Sequence, residues 1–479
     1  MIGYTLAKKV SGMGQDRDLD FCGFLDLLEG YEDSRREKSV WYSVSELFFV
    51  ALSALLCGAN NWAEMADYGR QKLDFLRLWF PFSQGAPSKD TLRRFFRALN
   101  PEVFQGIFIQ WVQSVNKNVA EKMLAIDGKT SRRSGDGDQN PLHLVSAFLT
   151  EARLVLGQHA VDEKNNEIKA IPEILNLLTL DSMLVTIDAM GCQHKIADMI
   201  VAKKGDYVLA LKGNQPGLSQ DIQLFINDPE TKSVVYEEVD GDHGRLERRT
   251  LTVCEDVAWL RERHPKWQSL GAIIRLDTVV ETKTTVTKET RYYVTSLFAN
   301  NPKKILRGIR GHWGIENTLH WVLDVVFQDD LNRTRKDHGP QNIAILRHIA
   351  LNLIQKSKPP NTSISRFRKN LGWNTIAVTI ILSASWLSGK RPELASFLTA
   401  LPLVSILALA FSYTDHGSLA LSSKYARSII LAVPVSWLFF VPFFFAERLH
   451  LSFWQTWGLG LLLLAGGYFL HQAILRWLA

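Results

Sequence analysis

Two short apolar runs, each closed by an aspartate, constrain this chain more than any other feature. The first is Met123–Thr130, MLAIDGKT, in which Asp127 closes the run and Gly128 follows at once. The second is Met183–Met190, MLVTIDAM, with Asp188 in the same place and Gly191 just beyond it. A brief apolar run bounded by glycine signals a buried strand. A carboxylate at the end of such a strand is held rigidly at the rim of a sheet. That placement suits hard divalent cations, which want fixed oxygen ligands. Gly128 lets a bulky partner approach the backbone. Alone, MLAIDGKT reads first as a strand running into an Asp-Gly turn; the second copy turns the pair toward a site. Side by side in one sheet, two such strands bring their carboxylates to a common edge.

A third acid is expected from a helix. In Arg310–Asp324, RGHWGIENTLHWVLD, positions four apart share a helix face, so His312, Glu316, His320 and Asp324 form one stripe. Ile315, Leu319, Val322 and Val326 form an apolar face beside it. Glu316 is the candidate third carboxylate. Trp313 and Trp321 are expected in the core, with base stacking as the alternative.

At 479 residues the chain can hold two or three domains with cores of their own. A net charge of +6 and a pI of about 9.0 lean toward an anionic partner such as nucleic acid, although membrane proteins share this balance. Cys22, Cys57, Cys192 and Cys254 are far apart and fit no zinc or redox spacing, so a reducing compartment is the default. Met1–Arg17 lacks the apolar core of a signal peptide.

In chain order, 1–40 is polar and charged. Ser43-x-x-Glu46 reads as a capping box opening an apolar helix Leu47–Cys57, which Gly58 stops. Asn61-x-x-Glu64 starts a helix reaching about Phe80, and Ser88 caps another over SKDTLRRFFRAL. Pro101–Val115 is a further helix, so 1–120 reads as a helical N-terminal domain. Two readings of the Ser88–Leu99 helix stay open. It is a DNA-contacting element with Arg93, Arg94 and Arg97 on phosphates, or a core helix with a solvated basic face.

After MLAIDGKT come Arg132 and Arg133, then strands His143–Phe148 and Leu154–Ala160 in a hairpin pattern. Helix Glu167–Leu178, the second Asp strand, helix Gln193–Lys203, strand Asp206–Lys212 and helix Gly217–Asn227 follow. That order predicts a mixed α/β sheet with its acids on adjacent strands, as in ribonuclease-H-like folds. The Val/Thr-rich stretch of about 229–300 reads as a β-rich insertion. The interval from Asp188 to Glu316 is about twice that from Asp127 to Asp188 and suits such an insertion.

The set LAIDGKT, VTIDAMGCQ, DYVLALKGNQ, HGRLERR and GHWGIENTLHWVLDVVFQDD, with the N-terminal APSKDTLRRFF, resembles the bacterial insertion-sequence DDE transposases, in particular the H-repeat-associated group. The resemblance covers roughly Ser43 to Trp373. It implies a ribonuclease-H-like (retroviral-integrase superfamily) catalytic domain at 121–355 with a β insertion, and cut-and-paste chemistry on transposon ends and target DNA. By motif position Asp127, Asp188 and Glu316 match the catalytic, metal-binding triad. Related transposases carry a Tyr-x2-Arg-x3-Glu-x6-Lys signature around the glutamate. Here Ile309, His312 and Leu323 stand at the Tyr, Arg and Lys places, so those roles are not carried over.

The implied chemistry is metal-dependent. Three carboxylates can hold two Mg²⁺ (or Mn²⁺) ions about 3.5–4 Å apart, one generating hydroxide and one stabilising the departing oxygen. The freed 3′-hydroxyl then attacks target DNA. No phosphate-cradling glycine motif of a nucleotide hydrolase is present. His312 and His320 are candidates for phosphate contacts near the metals, with zinc ligation by His312, Glu316 and His320 a rival that lacks a water-activating motif. Lys129, Arg132, Arg133 and Lys212 are candidate DNA backbone contacts, each alternatively a solvated surface charge. Asp324, Asp329 and Asp330 stand as reserve ligands, expected behind the triad or on the surface. A homodimer on double-stranded DNA follows by analogy with end pairing.

The last part of the chain changes character. After a basic linker at 356–374, Leu394–Tyr413 and Ser428–Ala446 are runs of about 20 residues that carry no charge, and Phe453–Leu470 is similar. The tail, 375–479, therefore reads as three or four membrane helices. This predicts a chimera: a cytoplasmic, nucleoid-associated catalytic part with an inner-membrane tail. Two alternatives go with it, an inactive truncated transposase that retains only DNA binding, and a membrane protein whose soluble portion is a remnant.

Overall fold

The computed structural model describes residues 40–115, 122–135, 140–161, 167–242 and 245–373, with short pieces before residue 40 and after residue 373. The chain divides into two units, 1–394 and 395–479, and all that follows concerns the first. The hydrophobic tail lies outside the described residues except for a few short pieces. Among the described residues no helix is long and apolar enough to cross a membrane.

The N-terminal helices start where their caps dictate. After α1 (Phe21–Leu28), Ser43 and Glu46 form the reciprocal capping box of α2 (Val44–Leu56). The buried Glu46 also accepts from the Phe82 amide at 2.7 Å, tying the following loop to this cap. Gly58, at φ 108°, ends the segment in a conformation that β-carbons disfavour. Asn61 caps α3 (Trp62–Gln71), accepting from the Ala63 and Glu64 amides. The helix expected to reach Phe80 breaks at Lys72 and resumes as α4 (Leu73–Arg77). Ser88 caps α5 (Lys89–Ala98), and α6 (Pro101–Val115) completes the set.

Nine strands form one mixed sheet. They are β1 (Lys122–Thr130), β2 (His143–Leu149), β3 (Leu154–Val161), β4 (Met183–Ile187), β5 (Asp206–Leu211), β6 (Val234–Asp242), β7 (Arg245–Cys254), β8 (Ala272–Glu281) and β9 (Val286–Thr295). Their order is β3-β2-β1-β4-β5-β9-β8-β7-β6. β1 pairs antiparallel with β2 and parallel with β4, and β4 pairs parallel with β5. Crossover helices α7 (Glu167–Leu177) and α8 (His194–Ala202) make the parallel pairings possible. Every residue of β2 and β4 is buried, as expected of sheet interior covered on both faces. α9 (Pro216–Ile226) and α10 (Ala258–Arg263) flank the outer strands.

The β-rich stretch expected as an insertion extends this same sheet. β9 returns antiparallel along β5, with Val208 opposite Thr295, and β8, β7 and β6 follow as a meander. One face of the joined sheet is covered by α11 (Pro302–Ile315), whose Ile305, Leu306 and Ile309 pack with Met123, Leu184, Val208 and Ile274. Gly308 allows this approach, since a Cβ there would stand 2.7 Å from a Leu184 methyl.

The opposite core is shared by the sheet and the N-terminal helices, which form one continuous hydrophobic cluster. At its centre lies α13 (Gly339–Ser357), buried from Asn342 through Ile354. Its polar residues act as fasteners. Asn342 donates to the carbonyls of Phe96 and Leu99 at 2.7 and 2.8 Å, closing the end of α5. Asn352 accepts from the Val155 amide at 2.9 Å and donates to the Val155 carbonyl at 2.8 Å, pairing with β3 as a strand would. The region expected as a basic linker holds the end of α13 and α14 (Ile364–Trp373). Arg368 in α14 is buried, donates to the Leu55 and Ala59 carbonyls, and lies 4.2 Å from the Phe327 ring centroid. A guanidinium at the last carbonyls of a helix supplies donors where the helix has run out of its own.

Replacing Asn352 by Leu would leave the buried Val155 amide and carbonyl unpaired. We expect a loss of about 1–3 kcal/mol in chemical denaturation, with Asn352→Gln recovering less than half if the paired geometry matters.

Candidate active site

The parallel pairing of β1 with β4 ends where Ile126 lies beside Ile187, so Asp127, still within β1 and opposite Ser146 of β2, emerges next to Asp188, the residue that follows β4. Each carboxylate is held by backbone amides. Asp127 Oδ1 accepts from the Gly128 amide at 2.9 Å. Asp188 Oδ1 accepts from Met190 at 3.1 Å and Gly191 at 3.4 Å, which fixes the short turn after β4.

Glu316 comes from the helix that crosses the sheet. α11 runs into a single π turn, Glu316–His320, and then α12 (Trp321–Val325). Such widened turns occur mostly at functional sites. The expected four-residue stripe is present with this one widened turn, and its members meet the sheet in sequence. His312 Nδ1 lies 3.3 Å from Thr186 Oγ1 on β4. His320 Nδ1 lies 3.3 Å from Glu316 Oε2 and 3.7 Å from Asp127 Oδ2. Asp324 Oδ1 lies 2.7 Å from Lys129 Nζ.

Asp127, Asp188, His312 and Glu316 line one cleft of about 350 Å³. Asp127, Glu316 and His320 offer ligand atoms within 4.8 Å of one another; Asp188 lines the cleft without joining that closest group. The cleft is electrostatically tense. Burial, with Glu316 and Asp188 close by, pushes the Asp127 carboxyl up to about 8. Burial also holds His312 and His320 below the usual imidazole range, so both are neutral donors or acceptors at neutral pH. Crowded carboxylates with hard oxygens facing a cleft fit a divalent cation. The closest group pairs two carboxylates with one histidine, and His312 turns to Thr186, so the zinc set His312–Glu316–His320 is not what the fold brings together.

Other expectations fare differently. Lys212 lines the cleft. Arg132 is exposed and reaches Asp330, and Arg133 is exposed. Lys129 is not a surface contact. Its side chain is only 11 % exposed and sits among Asp324, Asp329 and Asp330, at 2.7, 3.3 and 3.5 Å. The three reserve acids are thus spent on a lysine. Burial works against ionisation of Asp329, but Arg347 and Lys129 hold its carboxyl below the usual range. His320, expected as a phosphate contact, is buried beside the carboxylates. Arg93 pairs with Asp90 at 2.9 Å, Arg94 donates to the Asp90 carbonyl, and Arg97 grips Asp337. Trp313 and Trp321, expected in the core, are 49 % and 57 % exposed. Trp313 lies under Arg291, 5.0 Å from its guanidinium, at the cleft mouth. Arg291, Tyr292 and Tyr293 of β9 line the cleft as well. The sequence does not point to them, because the Val/Thr-rich alternation of β9 reads as part of an insertion and carries no sign that it pairs with β5.

The fold and the cleft define an α/β protein with a mixed sheet and a carboxylate-lined site where parallel strands end. Comparison with known proteins agrees. The family described as "Transposase DDE domain" matches residues 120–353, and the one described as "DDE_Tnp_1-associated" matches 25–112. A putative transposase, YncI, of Escherichia coli O157:H7 is 34% identical over 386 residues, spanning 78% of this chain and 98% of that protein. The H repeat-associated putative transposase YhhI of Escherichia coli K12 is 34% identical, spanning 74% of this chain and 96% of that protein. An uncharacterised protein in the dhlA 3′ region of Xanthobacter autotrophicus is 40% identical, spanning 53% and 88%. The chain belongs to the DDE transposase family and is a transposase enzyme.

Two outcomes follow. Lys129→Ala removes the cation that three carboxylates share, leaves Asp329 to Arg347 and Asp330 to Arg132, and should cost about 3–5 kcal/mol in urea unfolding. His348, fully buried near this network, is held down to about 3 by desolvation. The native state then refuses a proton that the unfolded chain accepts below about pH 6.5. Stability should therefore fall as pH drops from about 6.5 toward 3, by at most about 1.4 kcal/mol per unit from this residue. His348→Asn should flatten the slope between pH 7 and 5.

Proposed function

We propose that Asp127, Asp188 and Glu316 are the catalytic carboxylates of a transposase that cleaves and rejoins double-stranded DNA at transposon ends. The observation that carries this is the meeting of three carboxylates from β1, β4 and the π turn in one cleft. The β3-β2-β1-β4-β5 order supports a ribonuclease-H-like core, with β6–β9 as its extension. Family membership implies dependence on a divalent metal, and Asp127, Asp188 and Glu316 are the residues that would hold a pair of Mg²⁺ or Mn²⁺ ions. Bound divalent ions supply activation of the attacking water or 3′-hydroxyl and stabilisation of the leaving oxygen.

The chain's own residues prepare the site. Amides of Gly128, Met190 and Gly191 hold one oxygen of each aspartate, leaving the other for the cleft. His320 holds Glu316 in place, and its neutrality avoids adding a competing positive charge. Lys212 and Arg291 stand where scissile-strand phosphates would lie. His312 sits between Thr186 and the carboxylates and orients rather than ligates.

The alternative of a truncated relic has against it the intact triad and an alignment spanning 98% of the YncI relative. Pairing of two ends makes a dimer on DNA the proposed working form. The charge-free runs of the tail retain the proposal of a membrane anchor, and flotation of the full chain with liposomes tests it.

In the presence of Mg²⁺, the full chain should nick DNA carrying its element's ends. Asp127→Ala, Asp188→Ala and Glu316→Ala should each lower the rate by about 10²-fold or more while leaving DNA affinity within about threefold. Equal cleavage by wild type and all three variants would refute the assignment.

A further inference from the structure

A second concavity, of about 460 Å³, lies between α5 and the segment 332–336. Its walls carry Lys89, Arg93 and Arg97 from α5, and Arg333, Arg335 and Lys336 from the facing segment. Two of the six cations are neutralised locally, Arg93 by Asp90 at 2.9 Å and Arg97 by Asp337 at 2.8 Å. Arg335 Nε donates to the Arg133 carbonyl at 3.2 Å. Lys89, Arg333 and Lys336 have no ion-pair partner among the described residues, and all three are exposed. The groove thus carries surplus positive charge on both walls.

The facing segment is fastened in place. Thr334 is buried, and its hydroxyl accepts from Trp62 Nε1 at 3.0 Å and donates to Asn332 Oδ1 at 3.0 Å. Three residues on, Asp337 is gripped by Arg97. Gly339 lets the segment close against α5, since a Cβ there would stand 2.8 Å from Thr334 Cγ2 and 3.2 Å from Arg97 Cγ. Arg333, Arg335 and Lys336 therefore project from a backbone pinned at both ends. Cations already in place lose little entropy on meeting phosphate.

The segment is also wired to the catalytic strand. Arg335 holds the Arg133 carbonyl, the Arg132 amide donates to Asp330 Oδ1 at 3.1 Å, and Asp330 pairs with Lys129, two residues after Asp127.

We propose that this groove binds consecutive phosphates of the DNA duplex flanking the cleavage point, and that the pinned 332–336 segment sets their register against the Asp127–Asp188–Glu316 cleft. The inference rests on the transposase reading above. It goes beyond it by assigning DNA binding to Lys89, Arg333 and Lys336 on a two-walled groove, rather than to the arginines of α5 alone. A polyanion of regular charge spacing is the occupant the groove suits, because cations stand on both of its walls.

The test uses the full chain carrying Lys89→Ala, Arg333→Ala and Lys336→Ala together, beside a control with the exposed Lys169→Ala, Lys283→Ala and Lys303→Ala, which removes the same charge. Affinity for a duplex oligonucleotide is read by fluorescence anisotropy across salt concentration. Each lost phosphate contact lowers the log–log salt slope by about 0.9. The groove variant should lose about 2–3 from the slope and bind about tenfold or more weakly near 0.1 M salt. The control should change the slope by less than about 1. Both variants should keep the wild-type melting temperature and its shift on adding Mn²⁺, so that damage to the metal cleft is excluded. An unchanged slope in the groove variant, or an equal fall in the control, overturns the groove. Wild-type binding without Mg²⁺-dependent cleavage would instead count against the catalytic reading and leave the groove result standing.

Discussion

A buried cluster of unlike charges ties β1, the strand that carries Asp127, to everything around it. Lys129 enters from β1 and meets Asp324 from α12 and Asp329 and Asp330 from the turn that follows. Arg347, almost wholly buried on α13, reaches Asp329 and also donates to the Asn60 carbonyl at 3.1 Å. Ser131 donates to Asp329 as well. Charges this deep cost several kcal/mol each to dehydrate, so removing any one partner is far more damaging than the net value of the set. What the cluster secures is placement. Asp127 lies two residues from Lys129, and Glu316 lies eight residues before Asp324, so one set of ion pairs fixes both the strand and the helix that supply the cleft.

The cleft itself lies beside this cluster and behaves in the opposite way. The cluster balances its acids with Lys129 and Arg347 in direct ion pairs, whereas the cleft carboxylates have neutral histidines as their nearest partners and Lys212 and Arg291 further along the cleft lining. Burial raises Asp127 to about 8, and Glu316 and Asp188 add to the effect. Two acidic groups in neighbouring positions thus take different roles because one holds its countercharges in protein and the other needs them from outside. The same division explains why Asp324, Asp329 and Asp330, which gather as closely as the cleft residues, are not read as a metal site.

Local grammar in the sequence was a reliable guide wherever the deciding interaction is local. The capping residues Ser43, Asn61 and Ser88 begin helices where their spacing predicts. The two Asp-terminated runs are neighbouring strands, because their burial on both faces is written as continuous apolar residues. Features set by distant partners were not legible. Lys129 looks like any surface lysine until Asp324 and Asp329 fold over it. Arg347 and Arg368 look like ordinary basic residues, and the second made its segment read as a linker, although both reach carbonyls of the N-terminal helices. The π turn at Glu316 leaves no pattern in a four-residue stripe. β9 read as insertion because alternation marks a strand but does not say which neighbour it joins.

The central claim is that the three carboxylates of the cleft, and not the neighbouring acidic cluster, hold the metal. Anomalous scattering from Mn²⁺ in crystals of the DNA-bound protein tests it most directly. The account predicts Mn²⁺ density contacting Asp127, Asp188 and Glu316, absent in Asp188→Asn. Density at Asp324, Asp329 and Asp330, or none in the cleft at saturating Mn²⁺, would contradict it.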